Sequence, residues 1–327
     1  MANNIKKNIE NRIEKFKNGR FVKRSKRYLS RLILPGFQKV PFLTAMEYFV
    51  ESLKNGILVQ RAATITYRMF ITIIPIFMAL FAAVSFLDES LRIQLIHGIE
   101  SVVPDYIWPA IENMIKGVIM KQNGVLLIGS FITGLYLTVL TMNSVITSLN
   151  LTYYKIETRS SFKQLLVSLL MILAFGILIL LGIGIFIGSS YVMHYIDNQL
   201  FDSGRIYSAS ITLLKWVLLL ILSFLLISLF YYFAPADKKY FRFFSAGSIF
   251  STIMLVLLLF ALNIYFHYFS NYNVLYGSIG ALFAILLWLN WSAMIILIGF
   301  DLNVSIFVAK QKMQEGREPQ LEDSYAN

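Results

Sequence analysis

The sequence predicts an all-α, polytopic integral membrane protein with six transmembrane helices and both termini on the cytoplasmic side. Three observations carry this. Of the 327 residues, 57% are hydrophobic and only 14% charged, whereas a soluble domain carries about 25% charged residues; this chain has too little polar surface to cover itself in water. The apolar residues fall in six long runs with helical rather than alternating spacing, and about 20 apolar residues cross a hydrocarbon core of about 30 Å. Basic residues are concentrated in alternate loops, the asymmetry that orients such chains. Barrel strands of about 10 residues would show a two-residue alternation that these runs lack.

Residues 1–40 form a basic cytoplasmic segment. Ile5, Ile9, Ile13 and Phe16 recur at helical spacing among Lys, Arg, Glu and Asn, and Lys23, Arg24, Lys26 and Arg27 follow. A basic amphipathic helix of this kind lies on anionic lipid headgroups, each basic residue contributing about 1 kcal/mol. The alternative is a tail that only sets topology. No apolar core of signal-peptide length occurs here, so the first span is expected to act as its own insertion signal. Nucleic acid is not an expected partner, because the basic patch adjoins a span and no groove-reading motif accompanies it. Pro41 to Gln60 is a second amphipathic stretch leading into the membrane.

The transmembrane domain is expected over 41–310, with spans at about 62–87, 125–149, 162–195, 208–234, 243–269 and 276–308, and a cytoplasmic tail over 311–327. Residues 1–61 hold fourteen basic and four acidic residues. The 88–124 loop holds three basic against five acidic. Lys155, Arg159 and Lys163 mark the next inner loop, Lys238, Lys239 and Arg242 the one after, and Lys310, Lys312 and Arg317 the tail. The alternation holds only for an even number of spans. Within 88–124, apolar positions broken by Pro104 predict a helical hairpin on the outer face, with Trp108 at the water–lipid boundary.

Some residues inside the spans need partners. Arg68 sits about two turns into the first span, where an Arg costs about 2.5–3.5 kcal/mol and normally faces a bundle interior. Asp301, in the last span at similar depth, is the expected partner; the alternative is that both reach the inner interface separately. The second span is unusually polar, with Ser130, Thr133, Thr138, Thr141, Asn143, Ser144, Thr147, Ser148 and Asn150. These residues pack helices closely or line a wet path between the first, second and last spans. Pro75 bends the first span and frees a carbonyl.

No chemistry-bearing constellation is visible. The chain has no cysteine, which excludes disulfides, thiolate metal sites and a catalytic thiol. His97, His194 and His267 have no carboxylate at ligand spacing, so no metal is expected. Nucleotide-binding, hydrolase and metalloprotease motifs are missing. The expectation is a non-enzyme with no cofactor.

Three stretches resemble the YihY/BrkB-type (virulence factor BrkB) family of bacterial inner-membrane proteins. They are Arg61 to Leu80 with its Thr72-x-x-Pro75 element, Tyr231 to Thr252, and Tyr272 to Asn303 with Tyr276, Gly277, Gly280, Trp288 and a Gly299-x-Asp301-x-Asn303 ending. Phe300 stands where the family has a small residue, and Asp301 where it has Glu. The resemblance implies a six-span fold in the bacterial cytoplasmic membrane. Some members were once labelled ribonuclease BN, which the residues here do not support. Transporter-like proposals for the family imply movement of a lipid-related or envelope compound. Arg68, Asp301, Asn143, Pro75, Tyr272, Tyr276, Gly277 and Gly280 are the candidates for a substrate path or structural clasp. A membrane scaffold or assembly factor is the alternative function.

Overall fold

In the computed structural model, the described residues are 36–55, 57–102, 108–152, 160–199, 204–235, 243–268 and 278–315. Their regular structure is helical, joined by turns and short connections. In chain order the helices are α1 (Phe42–Asn55), α2 (Leu58–Val84), α3 (Glu89–Val102), α4 (Trp108–Ile119), α5 (Gly124–Asn150), α6 (Ser161–Gln199), α7 (Gly204–Phe233), α8 (Ala246–Tyr268) and α9 (Ser278–Glu315). Among the described residues, five helices are long and apolar enough to cross a membrane: α2, α5, α6, α7 and α9. The fifth predicted run contributes a shorter apolar stretch, Ala246–Leu262, within α8. The basic segment before residue 36, with Lys23, Arg24, Lys26 and Arg27, lies outside the described residues, as do Tyr272, Tyr276 and Gly277.

Local chemistry explains where the helices start. The Asn123 side chain accepts a hydrogen bond from Leu126 N at 3.0 Å and caps α5. At α8, Ser245 Oγ accepts from Ser248 N while Ser248 Oγ accepts from Ser245 N, both at 3.2 Å, so two otherwise orphaned donors are satisfied reciprocally. Gly36 has φ +86°, and a Cβ there would meet Ala246 N at 2.8 Å, so a side chain at this turn would collide with the start of α8.

The six long helices close into a ring. Each packs on the next in the order α2, α5, α6, α7, α8, α9, and α9 returns to pack on α2. The first and last are therefore neighbours. Their lipid-facing sides carry exposed Leu, Ile, Val and Phe, such as Leu173, Leu180, Leu213 and Phe260, which is the reverse of a soluble protein and the arrangement a bilayer solvates. Helix α1 lies alongside α9, and its Ala45, together with Phe37 and Val40 just before it and Ala246 at the start of α8, forms one apolar cluster with Leu302, Ile306 and Ala309. Helix α9 continues past the apolar run as far as Glu315.

Helices α3 and α4 form the expected hairpin at the other end of α2. Trp108 is turned into the hairpin core rather than outward. It is 8% exposed and packs with Ile96, Ile115 and Ile119 against Phe81 and Val84. The hairpin is too small to stand alone, and the indole supplies the large apolar side chain its core requires. On its exposed side the Glu112 carboxylate lies 2.6 Å from Lys116 Nζ and raises the Lys116 pKa by hydrogen bonding and charge.

Candidate functional site

Asp301 is paired, but with a different arginine from the one expected. Arg61 Nη1 donates to Asp301 Oδ2 at 3.0 Å and Oδ1 at 3.3 Å, and Nη2 donates to Oδ1 at 3.3 Å. Arg61 Nε donates to the Ser148 carbonyl at 2.7 Å. The two side chains are 3% and 2% exposed. One guanidinium thus joins α2, α5 and α9. The Arg68–Asp301 pairing is incorrect for a simple reason. Helix α2 begins at Leu58 rather than near residue 62, so Arg61 is already inside the bundle, two turns before Arg68 on the same helix face. Arg68 is half-buried, and its side chain makes no ion pair among the described residues.

The other motif residues of the last helix each have a separate partner. Asn303 Oδ1 accepts from Gly247 N at 2.8 Å and its amide donates to Ser245 Oγ at 2.9 Å, so α9 caps α8 from outside. Gly299 lies against Gly247, Ser251 and Tyr231, where any added Cβ would collide; two glycines let the α8 and α9 backbones approach closely. Tyr231, fully buried on α7, donates to the Ile296 carbonyl at 2.6 Å and lies 2.7 Å from Ser251 Oγ. Asn150 on α5 donates to the Ala234 carbonyl at 3.0 Å. Together these groups make a hydrogen-bonded polar layer across one end of the ring.

Beyond this layer the ring encloses a cavity of about 450 Å³. All six helices line it, among them Ile65, Met69, Val145, Phe175, Leu226, Leu255 and Ala293. Its walls are almost wholly apolar. The hydroxyls that reach it are mostly turned into the backbone: Thr138 donates to the Gly134 carbonyl at 2.7 Å, and Thr141 to the Arg68 carbonyl at 3.1 Å. Ser292 Oγ, also at the wall, has no hydrogen-bond partner. Ile76 and Ile179 line the cavity and are themselves exposed, so it reaches the surface of the bundle.

Of the two readings of the second span, close packing and a hydrophilic path, the structure fits packing. The polarity of α5 serves packing, and the space inside is oily. Asn143 faces α6, where its side-chain oxygen accepts from Ser168 Oγ, and Thr147 there accepts from Gln164 Nε2 at 3.0 Å. The Thr72–Pro75 element holds α2 on α5: Thr72 Oγ1 lies 2.7 Å from Thr141 Oγ1, and a Cβ on Gly134 would stand 3.5 Å from the Pro75 carbonyl carbon. Helix α9 is already formed at Gly280. His97 pairs with Glu100 at 3.2 Å; the side chains of His194 and His267 lie outside the described set.

A ring of apolar helices around a buried ion pair and an oily chamber is the architecture of a multi-pass α-helical membrane protein. The family model described as Virulence factor BrkB matches residues 49–323, and the chain belongs to that family, also known as YihY/UPF0761. It is similar to YfkH of Bacillus subtilis (strain 168), a protein named as ribonuclease-like, with 23% identity over 258 residues covering 78% of this chain and 92% of that one. It is similar also to a UPF0761 membrane protein of Psychrobacter sp. (strain PRwf-1), with 23% identity over 275 residues covering 80% of this chain. The chain spans about half of the Psychrobacter protein, 48% of its length. No solved structure matches the chain.

Proposed function

We propose that this protein is a transporter or permease for a lipid-related or envelope compound, acting without covalent chemistry or cofactor. The observation that carries the reading is the apolar cavity inside the helix ring, open to the bundle surface and backed by the Arg61–Asp301 layer. A path for polar solutes requires polar walls, whereas these walls dissolve hydrocarbon. The reading takes α8 as the sixth span. Positive-inside asymmetry then orients both termini to the cytoplasm of a bacterial cell and puts the polar layer at the inner end. Lys23, Arg24, Lys26 and Arg27 would rest on anionic headgroups of the inner leaflet. Tyr272, Tyr276, Gly277 and Gly280 would belong to the outer mouth, and Arg68 to the substrate path. The competing reading is a scaffold or assembly factor, which needs no cavity.

The test is flux in reconstituted vesicles. Labelled phospholipid should redistribute between leaflets faster with the wild-type chain than in empty vesicles. Filling the cavity by Ala293→Phe should return the rate to the empty-vesicle value. If no labelled lipid moves faster with protein than without it, transport is refuted in favour of the scaffold.

A further inference from the structure

Arg68 and the cavity are adjacent, and each lacks what the other's ligand would supply. Ile65, Met69, Thr72, Ile73 and Ile76 of α2 line the cavity, a stretch of about 16 Å along the helix axis. By helical geometry Arg68 lies about 40° around the helix from Thr72, on the flank facing α5. Its carbonyl is bonded at 2.8 and 3.1 Å by Thr72 and Thr141, both lining residues. Arg68 is not itself a wall residue, but two wall side chains are bonded to its backbone and Met69, the next residue, lines the cavity. The residue is half-buried and its guanidinium has no carboxylate partner among the described residues, since Asp301 is taken by Arg61. A cation in this setting requires an anion. The cavity cannot accept that anion, because charge in apolar surroundings is strongly disfavoured. It can accept hydrocarbon, and its sole unpartnered wall group, among the described residues, is the Ser292 hydroxyl.

We propose that Arg68 and the central cavity form one site for an anionic amphiphile, with the hydrocarbon chain in the cavity and the phosphate or carboxylate head on the Arg68 guanidinium. The planar guanidinium fork matches either head bidentately. The inference rests on the lipid-handling reading above and narrows it to anionic substrates.

The experiment is equilibrium binding to the full chain in delipidated detergent micelles, followed by native mass spectrometry. The probes are dioleoyl phosphatidylglycerol, oleate and dioleoyl phosphatidylcholine. Wild type should bind an anionic probe about tenfold more tightly than phosphatidylcholine, the scale of one charge-assisted hydrogen bond. Arg68→Gln should abolish that preference and Arg68→Lys should keep part of it. Preference for phosphatidylglycerol over oleate identifies phosphate as the head, and the converse identifies carboxylate. Ala293→Phe, or Val145→Phe on a second wall if the first does not fold, should weaken all three probes. Equal binding of charged and zwitterionic probes, or unchanged selectivity in Arg68→Gln, overturns the head assignment. Undiminished binding in a folded, cavity-filled variant overturns the chain assignment. Selective binding without flux would refute transport but not this site; flux with unselective binding would do the reverse.

Discussion

Removing one member of the Arg61–Asp301 pair should destabilise the protein far more than removing both. In Asp301→Ala the buried guanidinium loses three N–H···O contacts of 3.0–3.3 Å and keeps only the Ser148 carbonyl. In Arg61→Ala the carboxylate, 2% exposed, loses its cation. Either change leaves an uncompensated buried charge, which costs about 3–5 kcal/mol. The double variant Arg61→Met with Asp301→Leu removes both charges and keeps volume, so it should be near neutral to about 1–4 kcal/mol more stable than wild type. The assay is equilibrium unfolding in mixed SDS micelles, read by tryptophan fluorescence; the chain has four Trp, and without Cys it gives a thiol-reactive dye nothing to label. Arg68→Ala in the same assay should cost less than about 1 kcal/mol and show no coupling to Asp301→Ala. If the losses at positions 61 and 301 simply add in the double variant, the two side chains do not interact as described. If Arg68 rather than Arg61 couples to Asp301, the expected sequence-level pairing returns.

Gly247→Ala places a Cβ against the Gly299 carbonyl oxygen and 2.7 Å from the Asn303 side chain, so it should separate α8 from α9 and cost about 1–3 kcal/mol in the same unfolding assay; Gly117→Ala, with nothing within 4 Å of the added carbon, is the control and should lose nothing. Single cysteines introduced into the Cys-free chain report sidedness directly. A membrane-impermeant maleimide added to intact cells should label Gln122→Cys and spare Ser160→Cys, and the opposite pattern would invert the proposed topology.

Much of the fold was legible because membrane helices are long and apolar on every side that meets lipid. The runs at 125–149 and 208–234 agree with α5 and α7 to within a few residues. Two things were less legible. The ring order is set by which helix faces carry small residues, and Gly247 against Gly299 is a meeting of single residues 52 positions apart, with no periodic signal. Helix starts depend on capping and on backbone continuing beyond the apolar run, so a four-residue difference at Leu58 moved Arg61 from loop to bundle interior. That shift exchanged the partner of Asp301. A signal was present: Arg61 and Arg68 are seven residues apart and share a helix face, so depth, not direction, had to choose between them. Similarly, the Ser and Thr content of α5 reads alike whether hydroxyls face water or their own backbone. In the structure, Ser130, Thr138 and Ser144 each donate to a carbonyl three or four residues earlier.

Arg61 and Asp301 are separated by 240 residues of chain. At a synthesis rate of roughly 5–20 residues per second, about 12–50 s pass between the two emerging. Throughout that interval Arg61 is a cation with no carboxylate, held at the entrance of the first helix, and five helices accumulate around a gap. Only when α9 enters does the circle close and the charge find its counterpart. The buried ion pair therefore forms only in a chain whose last helix has been inserted. Chains cut short before residue 301 lack the carboxylate and leave Arg61 with the Ser148 carbonyl alone.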